Sequence, residues 1–134
     1  MRPVFRQISA LLLLALAPAV AAGFFHPKKP AWRSDEIPLA TARSWGERTL
    51  WLDARPAADY ARDHISGALP LREDAWDELL PAVLDTWTPE REVVVYCSSL
   101  SCGTSREVAR RLRSEVGLPR VHVLAGGWEA WAKK

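Results

Sequence analysis

Cysteine is scarce in this chain. There are two, Cys97 and Cys102, and no histidine stands at ligand spacing from either. Two thiolates cannot fill a four-ligand zinc site, so no metal is expected, and no cofactor is expected either. No stretch repeats with a period of about 20–50 residues, which excludes a solenoid. Charge of one sign is also missing. The formal net charge is +2, and Arg2 and Arg6 lie in the first seven residues. Without residues 1–21 the basic and acidic residues balance at 16 each. No basic patch interleaved with aromatics remains, so nucleic-acid binding is not expected. Long apolar runs are absent except at the start: Ile8 to Phe25 is 18 residues without a charge.

That first segment stands apart from the rest. "MRPVFRQ" carries two arginines and no acid, "ISALLLLALAPAV" is apolar, and "AVA" at Ala19–Ala21 has small-x-small form. Residues 1–22 therefore read either as a secretory signal cleaved after Ala21 or Ala22, or as an N-terminal membrane anchor using residues 8–25 as a tether. On either reading the folded part is exported: periplasmic, or membrane-anchored and facing outside the cytoplasm. "HPKKPAW" (His26–Trp32) is proline-punctuated, and residues 23–34 form an extended tether. Residues 35–134 are one domain.

Within that domain, strand and helix patterns alternate. A short edge strand is expected near Ile37, then a short helix ending at Gly46. "TLWLDA" (Thr49–Ala54) is a compact apolar run suited to a strand buried on both faces. "RPAADYARDH" is helical for one or two turns, and "ISGALPL" turns at Gly67 into a short strand. Trp76, Leu79, Leu80, Val83 and Trp87 share a helical stripe that Pro81 interrupts, which predicts a kink or two abutting helices. "REVVVYC" is the clearest strand and "TSREVARRLRSEVG" the clearest helix. In the latter, Thr104 and Glu107 have capping-box spacing, and Val108, Ala109, Leu112 and Val116 form the inner face. Glu107–Arg111 and Arg111–Glu115 sit four apart, and Gly117 is the stop. "RVHVLA" is a further strand and "GGWEAWAKK" a closing helix. The tryptophans at 51, 76, 87, 128 and 131 fall at packing positions. The fold class is α/β, with a mostly parallel sheet of about five strands and helices on both faces.

Ligands in such sheets bind at the carboxyl ends of the strands, which is where Cys97 falls. The segment after it (Ser98, Ser99, Leu100, Ser101, Cys102, Gly103, Thr104, then Ser105) offers no acid, base or histidine. All but Leu100 are small, so the loop can curl with its backbone N–H groups turned inward as an anion nest, and the following helix adds its positive end. A cysteine in that field is biased toward thiolate. The plainer reading is a small buried residue, or one half of a disulfide.

These stretches resemble a rhodanese-like (rhodanese homology) domain. "LWLDARPAADYARDHISGALPL" resembles the opening signature, with Asp53 and Arg55 as D-x-R and His64-Ile65-Ser66-Gly67-Ala68 as H-I-x-G-A. "VVVYC" resembles the active-site strand, and "SREVARRLRSEVGLPRVHVLAGGWEAW" the helix, strand and G-G-x-x-x-W ending. The resemblance implies a sulfurtransferase in which Cys97 takes sulfane sulfur from a small donor such as thiosulfate, becomes a persulfide, and yields the outer sulfur to a thiol acceptor. It makes Asp53 and Arg55 a structural pair near the loop and His64 a turn-fixing residue. The chain also departs from the family. Cys102 stands where the usual C-x-x-x-x-R-S loop has arginine, the loop reads about two residues longer, and Asp63 replaces a common glycine. Phosphatases of this fold use C-x5-R; Gly103 occupies that place and Arg106 lies inside the helix, which disfavours phosphatase chemistry. Cys102 can resolve a Cys97 persulfide, form a resting disulfide opened by an exported thiol reductase, or be a passive loop residue. A non-catalytic binding or redox-sensing module with a Cys97–Cys102 disulfide is the alternative function.

Overall fold

The computed structural model describes residues 35–98 and 102–133. The leader at 1–22, the tether at 23–34 and loop residues 99–101 fall outside them, as does the side chain of Cys102.

Five strands form one sheet. They are β1 (Glu36–Ile37), β2 (Thr49–Asp53), β3 (Leu69–Pro70), β4 (Glu92–Tyr96) and β5 (Val121–Leu124). Their spatial order is β1-β5-β4-β2-β3 and every pairing is parallel. The helices are α1 (Leu39–Ser44), α2 (Ala57–Arg62), α3 (Trp76–Thr86), α4 (Cys102–Arg111) and α5 (Gly127–Ala132). Parallel strands need crossovers, and these helices supply them. Among the described residues, no helix is long and apolar enough to cross a membrane.

Strand alternation divides the core in two. Val93 and Val95 of β4 join Leu50, Leu52, Val121 and Val123 on one face, under Trp76 and Val83 of α3, Val108 and Ala109 of α4, and Leu112 just past α4. Val94, Tyr96 and Leu124 face the other way, against Ala42 of α1, Ile65, Ala68, and the partly buried Trp128 and Trp131 of α5. Both faces of β4 are therefore covered, which is why its sequence reads as a continuous apolar run and not as an alternation. Each buried Val or Leu contributes about 1.5–3 kcal/mol. The core thus fixes the central strand, and with it the backbone that leads into Cys97.

Four local expectations need correction. Pro81 does not divide its helix: α3 runs unbroken from Trp76 to Thr86, with Pro81 exposed on its outer side, where the ring has room and only one backbone hydrogen bond is forgone. Helix α4 begins at Cys102, so Thr104 lies inside its first turn and is not a cap, and the connection does not extend to Thr104. Glu107, freed from a capping box, pairs with Arg110 (Nε–Oε2 2.9 Å). It does not pair with Arg111, which reaches Glu115 at 2.9 Å and lies over the Trp76 ring at 4.0 Å. The helix widens at its end into a π turn, Leu112–Val116, where the Leu112 carbonyl accepts from both Gly117 and Leu118. Gly117 closes it at φ 82°, as the sequence suggests.

Candidate active site at the end of the central strand

Cys97 follows β4 directly, at the carboxyl edge of the sheet and near its middle. The side chain is 1% exposed. Among the described residues, Ser105, Trp128 and Gly127 contribute to its surroundings. Ser105 is buried in the first turns of α4, and its hydroxyl donates to Sγ at 3.2 Å. The Trp128 backbone N–H donates to the Cys97 carbonyl at 2.6 Å. Gly127 is at φ 53°: a Cβ there would stand 2.1 Å from the Cys97 carbonyl oxygen and 3.0 Å from its carbon. Only a residue without a side chain lets the α5 turn approach the cysteine's backbone this closely. The sequence shows the glycine pair only as the start of a closing helix; the contact that requires Gly127 spans thirty positions.

Behind the cysteine lies a buried polar group. Asp53 is 0% and Arg55 is 5% exposed. Arg55 donates through Nε (3.1 Å) and Nη2 (2.7 Å) to the Asp53 carboxylate, through its backbone N–H to Oδ1 (2.8 Å), and through Nη2 to the Asp63 carbonyl (2.6 Å). Its guanidinium lies over the Trp128 ring at 4.3 Å. Burial alone would weaken the Arg55 cation, but the hydrogen bond and charge of Asp53 outweigh it and raise its pKa above the ordinary value. The pair thus holds β2's end, the Asp63 turn and α5 together; such a pair costs about 3–5 kcal/mol when one partner is removed.

Tyr96 completes this layer. Fully buried, it accepts the Ile65 N–H on its phenol oxygen at 3.2 Å, and burial, reinforced by Asp53, pushes its pKa far above the usual phenol value. The sequence pattern puts Tyr96 in the strand but does not show this tie. The tyrosine gives no local signal for a partner 31 residues away.

His64 sits elsewhere. Its ring stacks on Tyr60 (4.1 Å, 13°), and Nδ1 lies 2.9 Å from the Tyr60 carbonyl, which can only accept, so Nδ1 carries the proton. It lines a cleft of about 420 Å³ with Asp63, Ser66, Trp128 and Trp131. Its hydrogen bond goes to the α2 backbone, not to the cysteine.

Of the loop residues, Ser98 is half-buried, Gly103 exposed, Thr104 half-buried and Ser105 buried. The ring of inward N–H groups expected from Ser99, Leu100 and Ser101 lies outside the described residues, and so does any bond through the Cys102 side chain. Among the described residues no cluster of histidine, cysteine and carboxylate can hold a metal ion. A second cleft, of about 310 Å³, is lined by Ala54, Arg55, Pro56, Arg72, Glu73, Asp74 and Thr104.

Residues 39–134 match the family model described as Rhodanese-like domain. Among solved structures the chain is similar to the BH2092 protein from Bacillus halodurans (24% identity, TM-score 0.60, covering 87% of this chain and 81% of that one). It is also similar to a rhodanese-related protein from Thermoplasma volcanium (17% identity, TM-score 0.56, 73% and 90% covered). A third likeness is to a variant of EanB in complex with ergothioneine covalently linked with a persulfide cysteine (26% identity, TM-score 0.52). That match covers 66% of this chain and 24% of EanB.

Proposed function

The chain belongs to the rhodanese-like domain family, and from that membership we propose that it is a sulfurtransferase carrying sulfane sulfur as a persulfide on Cys97. The observation that carries this reading is the Ser105 hydroxyl donated to Cys97 Sγ at 3.2 Å. A hydrogen bond donated to sulfur favours the thiolate over the thiol, and the thiolate is the nucleophile. Sulfur transfer needs no separate acid or base, because neither half-reaction moves a proton onto carbon or nitrogen. The Cys97 thiolate attacks the outer sulfur of thiosulfate. A sulfur–sulfur bond forms, the bond to the sulfonate sulfur breaks, and sulfite leaves with the electron pair. An acceptor thiolate then attacks the outer sulfur of the persulfide, taking it as its own persulfide and returning the Cys97 thiolate.

The chain's own residues hold the nucleophile still during both steps. Gly127 and Trp128 fix the Cys97 carbonyl, Arg55 stacks on Trp128, and Asp53 anchors Arg55. The persulfide cysteine in the EanB structure supports the same chemistry here, though this chain spans only 24% of that protein. We place the domain outside the cytoplasm, released or tethered through residues 8–25. Its partners there are a small sulfur donor, a thiol acceptor and, where Cys102 joins the cycle, an exported thiol reductase. Turnover of thiosulfate with a thiol acceptor, measured for the reduced protein and for Cys97→Ser, tests the reading. Activity should vanish in the variant; equal turnover would remove Cys97 from the mechanism.

A further inference from the structure

The cleft lined by Ala54, Arg55, Pro56, Arg72, Glu73, Asp74 and Thr104 is bordered by two segments that adjoin the cysteine. Ala54 donates its N–H to the carbonyl of Tyr96, the residue before Cys97, at 2.9 Å. Thr104 precedes Ser105, whose hydroxyl is on Cys97 Sγ. A molecule in this cleft therefore lies beside the carboxyl end of β4.

Cations are few at this edge of the sheet. Arg55 is committed to Asp53 and the Asp63 carbonyl. The first turn of α4 begins Cys-Gly-Thr-Ser, without a charge, and the next residue, Arg106, pairs with Glu36 of β1 at 3.4 Å. Arg72 is different. Its side chain is 18% exposed, and its Nε donates to Asp74 Oδ1 at 3.0 Å. Its two terminal nitrogens have no acceptor among the described residues. Asp74 thus orients the guanidinium while leaving the outer fork, with four N–H donors, open. Asp74 and Glu73 are exposed, so water screens their charge. The remaining wall, from Ala54, Pro56 and Thr104, is mainly apolar.

We propose that this cleft is the acceptor subsite and that Arg72 selects a small thiol carrying a carboxylate. The carboxylate takes the open fork of Arg72, the short carbon stem lies on Ala54 and Pro56, and the sulfur points to Cys97. An open guanidinium fork matches a carboxylate in geometry as well as charge. The apolar wall and the 310 Å³ volume suit a carbon chain, which a bare sulfur oxyanion does not offer.

The inference rests on the persulfide reading, and one experiment separates the two. Load the protein with thiosulfate, remove the excess, and follow loss of the added sulfur by intact mass on mixing with 3-mercaptopropionate or with uncharged 2-mercaptoethanol. In Arg72→Gln the concentration of 3-mercaptopropionate giving half-maximal discharge should rise about tenfold, the loss expected for a charged hydrogen-bonded contact. Discharge by 2-mercaptoethanol should not change. Propionate should compete with 3-mercaptopropionate in the parent and not in Arg72→Gln. Equal effects on both thiols, or none, overturn the role of Arg72. Slower loading by thiosulfate with unchanged discharge would place the donor there and also overturn it. Failure to load at all sinks the sulfurtransferase reading, and the subsite with it.

Discussion

Replacing Gly127 by alanine should damage this protein more than its place at the start of a short helix suggests. Two costs combine. An L-residue at φ 53° carries about 1–2 kcal/mol of left-handed strain. The new Cβ would also stand 2.1 Å from the Cys97 carbonyl oxygen, which must retreat by roughly an ångström to reach van der Waals contact. That oxygen belongs to the backbone at the end of the buried β4 and cannot rotate away, so overpacking adds about 1–3 kcal/mol. The 2.6 Å bond from Trp128 N–H stretches or breaks as the turn moves, at about 1 kcal/mol. Gly117→Ala isolates the first cost, because Gly117 is also left-handed (φ 82°) and an added Cβ meets nothing within 4 Å. Urea unfolding followed by tryptophan fluorescence should therefore show Gly127→Ala destabilised beyond Gly117→Ala by about 2 kcal/mol or more. Turnover per folded molecule should fall in Gly127→Ala and hold in Gly117→Ala. Equal losses of stability would refute the idea that the α5 turn presses on the cysteine's backbone.

Tyr96 makes stability sensitive to alkali. Its pKa is raised in the fold, so the stability it contributes is present below the ordinary phenol value of about 10 and is lost as pH rises above it. Tyr96→Phe should be less stable at neutral pH, by about 1 kcal/mol for the unpaired Ile65 N–H, yet flatter between neutral and alkaline pH in urea titrations. An unchanged alkaline slope would contradict this. Pro81 forgoes one hydrogen bond in a continuous helix, so Pro81→Ala should raise the unfolding free energy by about 2 kcal/mol with turnover unchanged. A destabilised Pro81→Ala would show that the proline's fixed backbone matters more than the missing bond.

The elements and their α/β arrangement are legible in the sequence because periodicity is local. β4 shows four β-branched or aromatic positions in a row, Val93–Tyr96, and the helix after it shows its inner face at Val108, Ala109 and, just past α4, Leu112. Cys97 at the strand end follows from the same pattern. What surrounds the cysteine does not. Ser105 reads as one more small hydroxyl until the helix brings it to Sγ, and Trp128 reads as packing until its backbone reaches the Cys97 carbonyl. Arg72 reads as an ordinary loop cation, because nothing adjacent in sequence shows that it lines a cleft. The start of α4 is not legible locally because Thr104 and Glu107 imitate a cap, whereas helical backbone already begins at Cys102.

The most direct measurement is the mass of the reduced protein after thiosulfate, taken in parallel for the parent chain, Cys97→Ser and Cys102→Ser. The parent and Cys102→Ser should each gain one sulfur atom that dithiothreitol removes, and Cys97→Ser should gain none. No gain in the parent, a gain retained in Cys97→Ser, or only the loss of two hydrogens that marks a closed Cys97–Cys102 pair would contradict sulfur carriage on Cys97.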